Sequence, residues 1–361
     1  MNIREFAFGS PSRRDFIAGV AAAGATMLGP TLIRPSLAAG KAKRIDMHHH
    51  FLPQHYMKGE AERAHNEHGN SEMLSWTAEK AIDALDKAKV DFAVASISTP
   101  GVWIPGNVQL SRSLAREWNE EAAKTVHDHP TRFGFFAPVP LPDADGTLKE
   151  IDYAYSALHA DGINFLSNYE GKWLGDASFA PVMEELNRRK SLVYVHPTFS
   201  PCCTSNMLPG LVAPIIEFPF DTVRTIVSLI SSGTTTKYPD IRWIFSHGGG
   251  ALVGIYGRVA GISNQPQFKP KIPAGMKAEL AKLYYDTASL NPEVNLPALL
   301  RMVPQSQILL GSDYPLAGAP PTDVMVQRAV KEFEDMHPSP KLKQAVEHDN
   351  AVHLLPRIAK I

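Results

Sequence analysis

Short runs rich in β-branched and aromatic residues alternate with helical patterns along most of this chain, and that alternation restricts the fold more than any other feature. The first run, Arg44-Ile45-Asp46-Met47-His48-His49-His50, reads as a strand, and Thr77 is placed to cap a helix bearing Ala78, Ile82 and Leu85. Phe92 to Ile97 is the second strand; a helix carrying Leu114, Trp118, Ala122 and Val126 follows, then a third strand over Phe133 to Val139. Helices over 151–158, 181–189 and 221–231 lead into strands Ile163 to Leu166, Leu192 to His196 and Trp243 to His247. Leu283 to Asp286 and Ile308 to Gly311 complete eight strands, each after a helical stretch. Strands separated by helices pair in parallel, so the pattern predicts an α/β fold, a (β/α)8 TIM barrel, over 40–361. The 361 residues do not force a second domain, since such barrels use roughly 200 to 250 residues or more.

Polar residues fall at the strand ends. Alternate side chains of a strand share a face, so His48 and His50 point one way and His49 the other. Two imidazoles on rigid backbone can grip a divalent ion with little ordering cost. His196 ends strand five, His247 ends strand six, and Asp313 sits two residues beyond strand eight. Each has a structural explanation when taken alone: His196 before Pro197 can end a strand, Asp313 can serve a turn, and His247 can precede a glycine turn of positive φ. In a barrel, however, all these ends open on the face that carries chemistry, which favours one shared site.

The amino terminus reads differently. Arg13-Arg14, an apolar run from Ile17 to Leu28, and Ser36-Leu37-Ala38 form the sequence of a twin-arginine signal peptide over 1–39. The apolar run is too short for a stable membrane anchor, and the expected route is the Tat export machinery to the bacterial periplasm. Cys202 and Cys203 are adjacent and cannot staple distant segments; they read as small loop residues. With 36 basic and 37 acidic residues the net charge is -1, which disfavours nucleic-acid partners.

Asp46-x-His48-x-His50, Val195-His196-Pro197, Ser246-His247-Gly248-Gly249-Gly250 and Gly311-Ser312-Asp313-Tyr314-Pro315 together resemble the amidohydrolase superfamily. The closer resemblance is to its branch around aminocarboxymuconate-semialdehyde decarboxylase, with decarboxylases of hydroxybenzoates and 6-methylsalicylate. It extends from about Lys43 to the Asn350-Ala351-x-x-Leu354-Leu355 ending. The resemblance implies zinc held by His48, His50, His196 and Asp313, with His247 as an acid/base beside it; either His247 or Asp313 manages the proton, and the sequence does not decide between them. It also implies that Arg258 grips a substrate carboxylate, often across a homodimer interface. Strand four ends Asn164-Phe165-Leu166-Ser167-Asn168 without the bridging ligand of binuclear members, and Lys172 lies too far into the loop to replace it. One ion per chain is therefore expected, zinc first, with Mn2+ or another divalent metal as the alternative.

Loops after strands one, two, four and five offer Tyr56, Trp103, Asn168, Tyr169, Trp173 and Phe199, a partly aromatic set from which Trp103, Asn168 and Phe199 are the expected substrate contacts. The leading expectation is nonoxidative decarboxylation of a small hydroxylated aromatic or unsaturated carboxylic acid. Metal-assisted hydrolysis of an amide or lactone uses the same ligands and is the alternative. A binding protein without turnover is disfavoured by His247 and by an open metal position. Export departs from the branch's better-known cytoplasmic members and points to an environmental or envelope-derived substrate.

Overall fold

The computed structural model describes residues 44–53, 56, 75–201, 213–316 and 322–360. The expected signal segment and the Cys202-Cys203 pair lie outside the described residues. Eight parallel strands run in order: β1 Ile45–His50, β2 Phe92–Ser96, β3 Phe133–Pro138, β4 Gly162–Leu166, β5 Leu192–His196, β6 Arg242–Phe245, β7 Tyr284–Asp286 and β8 Ile308–Leu309. The ring closes between its ends through Met47 N–H to Leu310 O (2.8 Å), Asp313 N–H to His48 O (2.8 Å) and His50 N–H to Tyr314 O (2.7 Å). This is the expected TIM barrel.

Nearly every strand residue is buried, as befits a parallel sheet covered on both faces. One apolar cluster fills the barrel with Ile45, Met47, Phe92, Val94, Phe136, Leu192, Tyr194, Ile244 and Leu309, and Leu354, Leu355 and Ile358 of the carboxy-terminal segment join it. The other strand faces pack outward against the helices around Trp118, Phe165, Phe179 and Phe245. Simple alternation would put Met47 opposite His48. The pairing of β1 with β2 instead shifts register between Asp46 and His49, which lets Met47 join the interior while His48 and His50 still meet the site.

Helix α1, Ala78–Ala88, starts where expected: Thr77 accepts from Lys80 N–H with its side chain. Helix α2, Val108–Asp128, buries Leu114, Trp118 and Ala122. Helix α3, Ala144–Ser156, begins before the expected 151 because Asp143 caps it through Gly146 N–H. Helix α4, Ala180–Arg188, and helix α5, Glu217–Ser232, match expectation within a turn. Helix α6, Leu252–Ala260, follows the glycine turn after β6. Helix α7, Met325–Asp335, lies beyond β8. No helix among the described residues is long and apolar enough to cross a membrane.

Candidate metal centre

The strand ends deliver the expected residues to one place. His48, His50, His196 and Asp313 are all buried, and one ligand atom from each lies within 4.8 Å of all the others. His48 Nε2 is 3.0 Å from His50 Nε2, and Asp313 Oδ1 lies 3.2 and 3.0 Å from those same nitrogens. Three imidazole nitrogens and one carboxylate oxygen, withdrawn from water and aimed at a common centre, form a divalent-metal site.

The outer nitrogens explain the aim. His196 Nδ1 lies 2.8 Å from Pro197 O, an acceptor only, so that nitrogen carries the proton and Nε2 turns its lone pair inward. His50 Nδ1 meets Ser96 O at 3.4 Å. His48 Nδ1 lies 2.9 Å from Asp286 Oδ2, a carboxylate–imidazole pair of the kind that orients metal-binding histidines. Asp286 carries no mark in the sequence beyond its place at a strand end. It ends β7 as His196 ends β5, and that position was the available signal. Its other oxygen accepts from His247 N–H at 2.9 Å, so one buried carboxylate places two site residues.

Charge shows the same focus. Burial works against protonated His48, but Asp286 and Asp313 outweigh it and push the group up to about 10. Burial, followed by His50, His48 and His247, drives His196 well below its ordinary value. Burial also opposes ionised Asp313, yet His48 and hydrogen bonds from the surrounding imidazoles hold it well below the usual carboxylate range. A cation at the centre would replace the proton on His48 and offset the mutual crowding of the imidazoles.

His247 stands on the far side of Asp313, with Nε2 3.1 Å from Oδ2. Its φ is 56°, and Gly248, Gly249 and Gly250 also have positive φ. The turn therefore requires glycine for its path: a Cβ on Gly250 would meet Pro219 O at 2.3 Å. Asp46, below the site, accepts from His48 N–H, Ser312 N–H and Ser312 Oγ and lies 3.1 Å from His49 Nδ1, tying β1 to the β8 exit. His49 thus faces away from the ligand centre, as expected, and stacks on Tyr314.

The proposed pocket residues divide. Phe199 stands edge-on to Phe218 at 5.3 Å, and Phe218 stands edge-on to His196 at 6.3 Å, forming an apolar flank beside a ligand. The Asn168 amide donates to Phe199 O and Asp221 and accepts from Gly171 N–H, while Trp173 Nε1 donates to Asp221. Those side chains brace the loop that carries Phe199. Tyr169 hydroxyl accepts from Leu166 N–H, and Tyr56 hydroxyl donates to Gly101 O. No hydrogen bond, ion pair or ring contact joins Trp103 or Arg258 to the four ligands: Trp103 is half-buried in the loop after β2, and Arg258 is exposed on α6.

A family profile described as amidohydrolase matches residues 45–357. The chain is 35% identical to a decarboxylase of Aspergillus niger, covering 87% of this chain and 88% of that protein. It is 33% identical to the 6-methylsalicylic acid decarboxylase of Penicillium expansum, covering 88% and 98%. Among solved structures, 5-carboxyvanillate decarboxylase from Novosphingobium aromaticivorans, with bound manganese, superposes with a TM-score of 0.75 at 20% identity, covering 88% and 97%. A 2,6-dihydroxybenzoate decarboxylase bound to 2,6-dihydroxybenzoate gives 0.74 at 18%, covering 87% and 99%.

Proposed function

The chain belongs to the amidohydrolase family, and we propose that within it this protein is a metal-dependent nonoxidative decarboxylase of a small hydroxylated aromatic carboxylic acid. The observation that carries the reading is the division of Asp313: one oxygen faces His48 and His50, the other faces His247. His48, His50, His196 and Asp313 would hold a divalent ion, which would supply positive charge to orient an anionic substrate. At the second oxygen, His247 Nε2 and Asp313 hold the proton that the reaction needs. The carbon–carboxyl bond breaks, its electron pair goes to the new carbon–hydrogen bond, and carbon dioxide leaves. The Phe199–Phe218 flank suits an aromatic ring with an apolar substituent, which agrees with the 6-methylsalicylic acid decarboxylases among the relatives. Carbon dioxide release and product mass across salicylates, dihydroxybenzoates, lactones and amides test the reading; hydrolysis of a lactone or amide without carbon dioxide release would overturn it.

We assign zinc, one ion per chain, as the resident metal because the donor set is rich in nitrogen, with manganese as the alternative. Metal analysis of purified protein decides between them. Arg258 is proposed to act across a homodimer interface: it is exposed on α6, where Cβ atoms at Gly254 and Gly257, and at Gly261 just beyond the helix, would meet nothing within 4 Å, and Ile215, Ile216 and Phe220 are also exposed. Co-expressed, differently tagged Arg258→Ala and Asp313→Ala chains should then recover part of the activity that each lacks alone. The Arg13-Arg14 segment supports Tat export to the periplasm, and replacing both arginines by lysine should leave precursor in the cytoplasm.

A further inference from the structure

The turn that leaves β7 touches both sides of the site. Asp286 Oδ1 accepts from Ala288 N–H at 3.1 Å as well as from His247 N–H, and Leu290 N–H donates to Thr287 O at 3.2 Å. At the tip of this turn Ser289 is exposed and has a φ of 49°, left-handed backbone that a serine adopts with strain and a glycine would not. Its hydroxyl nevertheless reaches inward and donates to Asp313 Oδ2 at 3.1 Å. Ser289 also lines a groove of about 670 Å³ between this turn and α7, shared with Asn291, Arg328 and Glu332.

We propose that Ser289 is a positioning residue that fixes the rotation of the Asp313 carboxylate. The torsion about the last bond of an aspartate side chain is broad, so one hydrogen bond leaves the carboxylate plane loosely set. Here Oδ2 has two partners, His247 Nε2 and Ser289 Oγ, each at 3.1 Å and arriving from different loops. Together they define the plane and keep Oδ1 toward His48 and His50. The consequence is chemical: proton delivery to ring carbon depends on the His247–Asp313 pair holding one orientation through turnover. The hydroxyl exchanges no proton with substrate in this scheme; it sets the direction in which the pair works.

The proposal rests on the decarboxylase reading, and its test separates the two. Wild type, Ser289→Ala and Ser289→Gly are loaded with metal and assayed for carbon dioxide release from a panel of salicylates. Loss of a hydrogen bond to a charged group should lower kcat about tenfold in both variants, with KM and metal content unchanged. The glycine variant removes the hydroxyl while relieving the backbone, so the comparison survives if the alanine protein folds poorly. In resting cobalt-loaded protein without substrate, the visible spectrum should change in both variants as the Asp313 carboxylate turns. A kcat within twofold of wild type, or an unaltered cobalt spectrum, overturns the role of Ser289. A wild-type protein that releases no carbon dioxide from any salicylate or dihydroxybenzoate and hydrolyses a lactone or amide rejects the decarboxylase reading instead, and the cobalt spectrum still decides Ser289.

Discussion

The two ends of the barrel handle charge in opposite ways. At the end where the strands finish, His48, His50, His196, Asp286 and Asp313 crowd into one dry centre, so several groups of like character face one another. At the end where the strands begin, charges are spread into separate small groups of opposite sign: Arg44 with Glu334 and Glu347, Arg357 with Asp161, and Arg189 with Glu185 and Asp152. The apolar Leu354, Leu355 and Ile358 lie among them and meet the interior cluster. The first arrangement gathers four donors that can hold an ion; the second pairs its charges within the chain itself. Loss of function and loss of stability should therefore be separable by position.

The sharpest break of that contrast is Asp313→Ala, which removes a ligand and the partner of His247 together. Turnover should fall by at least about a thousandfold, because a metal ligand and the partner of His247 are lost together, while thermal unfolding of the metal-free protein should shift only as far as the buried His48–Asp313 pair supports the fold. A large drop in melting temperature would show that the centre holds up the fold as well. Asp286→Asn comes next. Weakening the carboxylate behind His48 should reduce metal affinity ten- to a hundredfold, read by competition with a chelator.

At the other end, Leu354→Ala should cost about 2–5 kcal/mol in a denaturant titration, because Leu354 is 1% exposed within a packed cluster. The kcat of the folded fraction should stay at the wild-type level. The smallest effect belongs to Glu185, whose carboxyl is held down at about 2 by a hydrogen bond from Arg188, then by Arg189, against some desolvation. A depressed acid contributes stability above its ordinary value of 4.5, and that contribution is lost as pH falls from there toward 2. Partial exposure limits it to about 1 kcal/mol. The gap between wild type and Glu185→Gln should thus be measurable at pH 6 and shrink at pH 3, with activity at pH 6 the same in both.

Legibility in the sequence follows this division. The barrel was readable because eight strand runs and the helices between them keep their periods, and the four ligands were readable because each closes a strand or follows one closely. Asp286 was hidden by being one more acid at a strand end, without a neighbouring histidine to mark it. Ser289 was hidden more deeply, since neither its left-handed backbone nor its inward hydroxyl leaves a trace in residue type. Asn168 and Trp173 read as pocket residues from the sequence because polar and aromatic loop positions so often line one. Buried Asp221, which engages them both, lies about fifty residues further along the chain and gave no local sign.

His247, Asp313 and Ser289 hold φ values of 56°, 63° and 49°, so three non-glycine residues around one centre sit in left-handed backbone. Each such residue costs about 1–2 kcal/mol relative to glycine's freedom there. A laboratory evolution campaign that rewarded heat resistance alone would accordingly drift toward glycine at these three codons and return a sturdier protein with a silent barrel mouth. Selection alternating between heat and turnover should keep all three side chains, and the order in which a lineage loses them under heat alone would rank how much of its backbone strain each one carries.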